Sequence, residues 1–378
     1  MKLETRLVQT GVKWDKRTGS VSMPIYQSAT FQHPRLGEST GFDYSRSGNP
    51  TRQVLEEAIA TAEGGQRGFA FSSGMAAITT ILYLFQPGDH LIVSDDLYGG
   101  TYRLFEQILT GYGLQFTYVD TSDLQAVETQ LKPNTKALFI ETPTNPLMKI
   151  TDIKGAAGLA KSKNLLTIVD NTFMTPYFQR PLELGADIVV HSGTKYLGGH
   201  NDLVAGLVVT KDQALGEKIY FYQNAIGAIL GPQDCWLLIR GMKTLGIRLE
   251  RQQENALRLA RRLQQHPAVE KIFFPGLLDH PGYRLHLSQS KGYGGMLSFT
   301  VKSQDLVPQI LERVKIISFA ESLGGVETLI TFPAVQTHAD IPQEIREAKG
   351  ISNTLLRLSV GIEAVDDLIE DLEQALGE

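Results

Sequence analysis

The stretch Asp187-Ile188-Val189-Val190-His191-Ser192-Gly193-Thr194-Lys195-Tyr196 decides the fold. Its first half is a short, continuous apolar run, and its second half is a turn of small and hydroxylated residues that ends in a lysine. A strand without polar alternation is covered on both faces, the habit of parallel strands in α/β sheets. The same pattern recurs outward in both directions. Gly68–Phe71, Leu91–Ser94, Leu138–Ile140, Leu165–Asp170 and Ala205–Thr210 read as further strands, most of them separated by helical stretches. The expected architecture is α/β with a mostly parallel sheet covered by helices, and ligands belong at the carboxyl ends of its strands.

Upstream, Asn49-Pro50-Thr51 opens a helix. Asn49 caps it, Pro50 suits its first turn, Leu55, Ile59 and Ala62 keep helical spacing, and Gly64-Gly65 stops it. Residues 1–47 are rich in Gly, Ser, Thr and Pro with little helical periodicity, so they are expected to wrap over another surface. Downstream, Gly231-Pro232 begins a helical stretch through Leu245, and a long helix of about Ile247 to Gln265 connects to a second region. That region mixes strands such as Met296–Val301 with helices. It closes on an amphipathic helix with Val365, Leu368, Ile369, Leu372 and Leu376 on one face and Glu363, Asp366 and Asp367 near its start. The expected organisation is an arm over 1–47, a large domain over 48–247 and a smaller C-terminal α/β domain over 248–378.

With 378 residues, 42% hydrophobic and 20% charged, the chain has the means for a large core and is neither disordered nor fibrous. The net charge of −5 and a pI near 6.0 give no electrostatic footprint for nucleic acid. The single cysteine, Cys235, excludes an internal disulfide or a thiolate metal cage; a reducing cytoplasm and no metal are expected. The first residues carry both signs of charge with no apolar run after them, so no secretory signal is expected. The uncharged stretch Gly68–Gly88 is long enough to raise the question of a membrane span, but Ser72, Ser73, Gly74, Thr79, Thr80, Gln86 and Pro87 interrupt it.

Three places carry chemistry. Phe71-Ser72-Ser73-Gly74-Met75 lies between a strand and a helix, where small residues let backbone N–H groups converge on an anion. Tight packing alone also explains such a turn. Ala70-Phe71-Ser72-Ser73-Gly74 nearly matches a nucleophile elbow but lacks the first glycine. Ile168-Val169-Asp170-Asn171-Thr172 ends an apolar strand on a carboxylate, which needs a cationic or hydrogen-bonding partner if buried; a turn-capping aspartate reads the same way. Lys195, after Ser192 and Thr194, falls at the same sheet edge. A lysine there forms a Schiff base if burial or nearby cations destabilise its ammonium, and is otherwise an ordinary loop lysine. Together the three supply an anion seat, an acid for a ring nitrogen and an amine for an aldehyde, which are the needs of pyridoxal 5'-phosphate.

Further stretches strengthen this reading. Tyr44-Ser45-Arg46, Ser72-Ser73-Gly74-Met75-Ala76-Ala77, Asp96-Leu97-Tyr98-Gly99-Gly100-Thr101, Glu141-Thr142-Pro143-Thr144-Asn145-Pro146, Asp170-Asn171-Thr172-Phe173, Ser192 through His200, Glu321-Ser322-Leu323-Gly324-Gly325 and Arg357-Leu358-Ser359-Val360-Gly361 occur in order along the chain. In these the sequence resembles, over nearly its full length, the Cys/Met-metabolism family of pyridoxal-phosphate enzymes, within it the cystathionine γ-lyase and γ-synthase branch. The resemblance implies the aspartate aminotransferase-like fold type I. It implies that Lys195 holds the cofactor covalently and moves protons, and that Asp170 pairs with the pyridine nitrogen. Gly74, Met75, Ser192 and Thr194 would hold the phosphate. Tyr98 would stack on the ring and assist proton transfer, and Asn145 would contact the ring hydroxyl side. Arg357 would clamp the substrate carboxylate beside Ser322. Tyr44 and Arg46 would reach into a neighbouring subunit's site, implying a dimer as the active unit and a homotetramer of such dimers.

The expected reaction is α,γ-elimination of L-cystathionine to cysteine, 2-oxobutanoate and ammonia. By resemblance Glu321 meets the distal ammonium of cystathionine, and Gly100 stands where methionine γ-lyases resemble Tyr-Gly-Cys. Cystathionine γ-synthase activity with an O-acyl-homoserine stays open beside it, as does β-elimination of cystathionine or cysteine. Gln336 and Asp340 depart from the commoner pattern, in which Met and Ser are usual, and bear on substrate preference. From other classes, a serine hydrolase would use Ser72 with His191 or His200, and a scaffold protein would leave Lys195, Asp170, Tyr98 and Arg357 without a purpose.

Overall fold

The computed structural model describes residues 1–339 and 341–377, so Asp340 lies outside the described residues. The larger sheet has seven strands: β1 (Arg67–Phe71), β2 (His90–Ser94), β3 (Gln115–Val119), β4 (Thr135–Glu141), β5 (Leu166–Asp170), β6 (Ile188–Ser192) and β7 (Gly206–Thr210). Their order is β1-β7-β6-β5-β4-β2-β3. Strand β7 is antiparallel to β1 and β6, and the remaining pairs are parallel. The cause is the connection: residues 193–205 hold no helix to carry the chain back along the sheet, so β7 returns the other way.

The inner strands are buried along almost their whole length, and successive residues enter opposite layers. Val169, Val189 and Leu207 pack with the helix Pro50–Glu63 on one side; Ile168, Val190 and Val208 pack with the helix Gly74–Leu82 on the other. Strand β3 escaped the sequence pattern because it is an edge strand: only Val119 is buried in Gln115-Phe116-Thr117-Tyr118-Val119, so it has no continuous apolar run. The Asn49 cap forms as expected, Oδ1 accepting from the N–H groups of Thr51 at 2.9 Å and Arg52 at 3.3 Å, and Gly64 ends the helix at φ 74°.

The arm holds one helix that the sequence did not announce, Leu3–Val8. It is a single turn and a half held by Leu3 and Leu7 against the Pro50–Glu63 helix, too short to show a period. The second sheet has strands β8 (Val269–Phe273), β9 (Met296–Val301), β10 (Ser318–Phe319), β11 (Leu329–Thr331) and β12 (Leu355–Ser359), in the order β10-β11-β12-β9-β8. The helices Leu245–Leu263 and Val365–Leu376 back it through Leu259, Leu263, Leu368 and Leu372 against Phe299 and Leu358. The chain is therefore α/β with a mixed seven-stranded sheet and a smaller second sheet. Among the described residues no helix is long and apolar enough to cross a membrane. The carboxyl ends of β4, β5 and β6 border a cavity.

Candidate active site

The cavity measures about 230 Å³ and is bounded by the first turn of the helix Gly74–Leu82, the ends of β4, β5 and β6, and Leu323. Lys195 sits in the turn after β6. Its Nζ donates to Ser322 Oγ at 2.7 Å. Burial, then the Arg357 cation, push its pKa down to about 8, while Glu321 opposes them. This is the destabilised ammonium that Schiff-base chemistry needs. Ser322 adopts φ +88°, a left-handed conformation unusual for a serine, and its carbonyl oxygen accepts from Arg357 Nη2 at 3.0 Å. One strained residue thus ties the lysine to the arginine.

Asp170 ends β5. Its Oδ1 accepts from Thr172 N–H at 3.0 Å and from the Thr172 hydroxyl at 2.5 Å. That hydroxyl oxygen also accepts from Ser192 N–H at 2.9 Å, which links the ends of β5 and β6. Burial raises the Asp170 carboxyl, and the Thr172 donors hold it back. Directly opposite it in the β4–β5 register lies Glu141, to which its own stretch of sequence assigns no role. Glu141 is buried, and its Oε2 accepts from Tyr98 N–H at 3.0 Å. Burial and the Asp170 charge hold it well above the usual carboxylate range. Asp170 has two donors on one oxygen, so it is the better anion of the two. The signal for Glu141 was available: it ends an apolar strand as Asp170 does.

At the helix start, Ser73 Oγ accepts from Ala76 N–H at 3.0 Å, and the first intrahelical bond runs from Ala77 N–H to Ser73 O. The amides of Gly74 and Met75 come before that bond and border the cavity, as the open end of a helix dipole does for an anion. A Cβ at Gly74 would stand 3.2 Å from Ser192 Cβ, a tight approach that Ser192 would have to relieve. Thr194 Oγ1 bridges to Ala205, donating to its carbonyl oxygen at 3.3 Å and accepting from its N–H at 3.0 Å.

Arg357, on β12, is fully buried. Nη1 donates to Asn145 Oδ1 at 2.8 Å and Nη2 also donates to Thr331 Oγ1 at 3.2 Å. Among the described residues no carboxylate lies in ion-pair reach of it, and its Nε has no partner. Burial presses its pKa down to about 10. A desolvated guanidinium without an anion is a seat for a ligand's carboxylate. Asn145, expected toward a ring hydroxyl, spends its side-chain oxygen on this arginine. Tyr98 lines the cavity and is 43% exposed; a Cβ at Gly100 would fall 2.5 Å from its ring. Glu321 is exposed and acts on both Lys195 and Arg357 through its charge.

Tyr44 and Arg46 lie outside this cavity. Both are exposed, with the Arg46 guanidinium 5.5 Å from the Tyr44 ring centre. Buried Arg52 fixes their segment by donating to the carbonyl oxygens of Ser45 at 2.6 Å and Arg46 at 3.1 Å. Gln336 turns inward on its own loop, where Oε1 accepts from Phe332 N–H at 2.8 Å. The hydrolase arrangement does not form. Ser72 is exposed, His191 Nε2 bonds Glu63 Oε1 at 2.7 Å within the core, and His200 Nδ1 bonds Gly198 O. Among the described residues no His, Cys, Asp or Glu cluster suits a metal.

A half-buried amine, a half-buried acid and an open helix start around one cavity fit the aldehyde, ring nitrogen and phosphate of pyridoxal phosphate. The comparisons agree. A sequence profile described as Cys/Met metabolism PLP-dependent enzyme matches residues 4–377. The chain is 57% identical over 374 residues to the cystathionine γ-synthase/O-acetylhomoserine (thiol)-lyase of Bacillus subtilis (strain 168), covering 99% of this chain and 96% of that one. It is 53% identical over 376 residues to the cystathionine β-lyase of the same organism, covering 100% and 96%. The crystal structure of cystathionine γ-lyase from Lactobacillus plantarum complexed with L-serine superposes with a TM-score of 0.96 at 51% identity, covering 99% of this chain and 98% of that one.

Proposed function

The chain belongs to the Cys/Met-metabolism family of pyridoxal-phosphate-dependent enzymes, and from that premise we propose that it splits L-cystathionine and water into cysteine, 2-oxobutanoate and ammonia. The observation that carries this reading is the buried, anion-free Arg357 near Lys195, with Glu321 exposed next to the Ser322 that binds them both. Arg357 takes the substrate α-carboxylate and Glu321 takes the ammonium at the far end of cystathionine.

When bound, pyridoxal phosphate serves as the electron sink for the carbanion at the substrate Cα. Lys195 would anchor it, Asp170 would pair with its ring nitrogen, and Gly74, Met75, Ser192 and Thr194 would hold its phosphate. With a pKa near 8, Lys195 Nζ is a competent base near neutral pH. It removes the proton at Cα, gives that proton up so that it is neutral again, and then removes the proton at Cβ. Ser322 Oγ, its hydrogen-bond partner, steers the amine between these positions. Tyr98 donates its hydroxyl proton toward the departing sulfur, and Glu141 fixes the Tyr98 backbone.

Tyr44 and Arg46 complete the phosphate end of a neighbouring subunit's site. Their exposure outside their own cavity supports this, and a homotetramer of such dimers in the cytoplasm is the assembly we propose. γ-Replacement of an O-acyl-homoserine by cysteine uses the same groups, and the 57% identity to a γ-synthase favours it as the second reading.

Product identification on the holoenzyme tests the proposal. Cysteine and 2-oxobutanoate from L-cystathionine support it. Homocysteine and pyruvate would turn the reaction to β-elimination. Cystathionine formed only from an acyl-homoserine and cysteine would make it a synthase. Lys195→Ala should abolish turnover, and near-normal turnover by that variant would sink the assignment.

A further inference from the structure

The turn that carries Asn145 is fastened from several directions. Asp96 Oδ2 accepts from Thr144 Oγ1 at 2.5 Å and from Leu147 N–H at 3.1 Å, which holds its two ends. Its middle is held from the region of the second sheet. Ser298 Oγ donates to Pro146 O at 2.8 Å, and His338 Nε2 lies 3.0 Å from Asn145 O. Asn145 Oδ1 in turn accepts from Arg357 Nη1. The backbone of one asparagine therefore rests on His338 while its side chain aims the guanidinium.

His338 is buried and touches the cavity nowhere. A carbonyl oxygen only accepts, so Nε2 carries the ring proton, and Nδ1 accepts from Thr337 Oγ1 at 2.8 Å. Burial and the Arg357 charge press the ring pKa down to about 3, so it stays neutral and the bond keeps one polarity at working pH. The loop is also fixed in place: a Cβ at Gly99 would meet Thr337 O at 2.1 Å, a close approach that glycine alone permits.

We propose that His338 is a positioning residue for substrate recognition, holding Asn145 so that Arg357 meets the α-carboxylate in register. The proposal rests on the reading of Arg357 as the carboxylate clamp. Its loss should weaken binding of α-amino acids through their carboxylate without touching the cofactor or the amine side of the ligand.

The test uses holoenzyme and two probes that differ only in the carboxylate, L-serine and ethanolamine, titrated by calorimetry. His338→Leu fills the space without a donor, and His338→Gln restores an N–H at similar reach. Loss of one hydrogen bond predicts L-serine binding weakened roughly tenfold in His338→Leu, with ethanolamine binding unchanged. His338→Gln should return L-serine affinity to within about twofold of the unaltered enzyme. Equal weakening of both probes, no weakening of either, or failure of Gln to restore would overturn the proposal. Unaltered enzyme that binds L-serine but leaves cystathionine intact would refute the reaction instead, with the His338 comparison still decisive on its own.

Discussion

Lys195 offers the sharpest quantitative test of the site. An ordinary lysine has a pKa of 10.5, and here burial and Arg357 bring it to about 8. At pH 7 such an amine is neutral in roughly one molecule in ten, against roughly one in three thousand at the ordinary value, a gain of about 300-fold in the form that attacks an aldehyde. Two substitutions separate the causes. Arg357→Gln removes a repelling cation, so the lysine pKa should rise and capture at pH 7 should slow. Glu321→Gln removes an attracting anion, so the pKa should fall and capture should quicken. The assay is stopped-flow appearance of the visible cofactor band after apoprotein meets pyridoxal phosphate, from about pH 6 to pH 10. The cofactor's own ionisations are common to every variant and cancel in the comparison. Unaltered protein should inflect near pH 8, with the two variants displaced in opposite directions. Inflection at the ordinary lysine value, or two variants that leave it unmoved, would refute the account. The same shift has a linked effect on stability. The unfolded chain binds the proton more tightly, so the burial cost is full below pH 8 and is relieved as pH rises toward 10.5.

Two further predictions concern the assembly and a carboxyl group behind the site. Arg46→Ala and Lys195→Ala subunits, each inactive or weakened alone, should regain activity when mixed and reassembled, because one site of the pair then has both residues; no recovery would place Arg46 outside the partner's site. Asp96 is buried with its pKa raised to about 6 from 3.8, chiefly by desolvation. The folded state therefore holds a proton that the unfolded state has released between these values, and stability falls as pH rises through that window, by at most about 3 kcal/mol. Asp96→Asn keeps an acceptor for Thr144 and Leu147 but should flatten that slope in denaturant unfolding; parallel slopes would exclude Asp96 as its source.

How much the sequence disclosed depended on whether a residue's partners were close along the chain. Strands such as Leu91–Ser94 and the capped helix at Asn49-Pro50 announce themselves because burial on both faces and capping leave local patterns. The edge strand β3 and the short helix Leu3–Val8 do not, since one has a single buried residue and the other needs a distant helix to hold it. The site divides the same way. Asp170 stands out as a carboxylate ending an apolar run, and Lys195 as a lysine in the small-residue turn that follows one. Glu141 ends its strand as Asp170 does, and its register opposite Asp170 shows what that carboxylate faces. The link from His338 through Asn145 to Arg357 joins three segments far apart in the chain, and no spacing within any of them encodes it.

The place of β1 in the sheet has a consequence for how the molecule is made. Residues 67–71 find their ladder partner about 140 residues later, in 206–210. A chain emerging from the ribosome therefore completes β1 and its following helix long before β7 exists to receive them. Until then the Phe69 and Phe71 side chains lack the β7 neighbours that help bury them, and the anion seat at Gly74 is not yet set against Ser192. Cofactor capture must accordingly wait on closure of the β1–β7 seam, one of the slow, non-local steps of folding. A pause in synthesis before β7 would leave the β1 edge unpaired, a template for aggregation while it lasts.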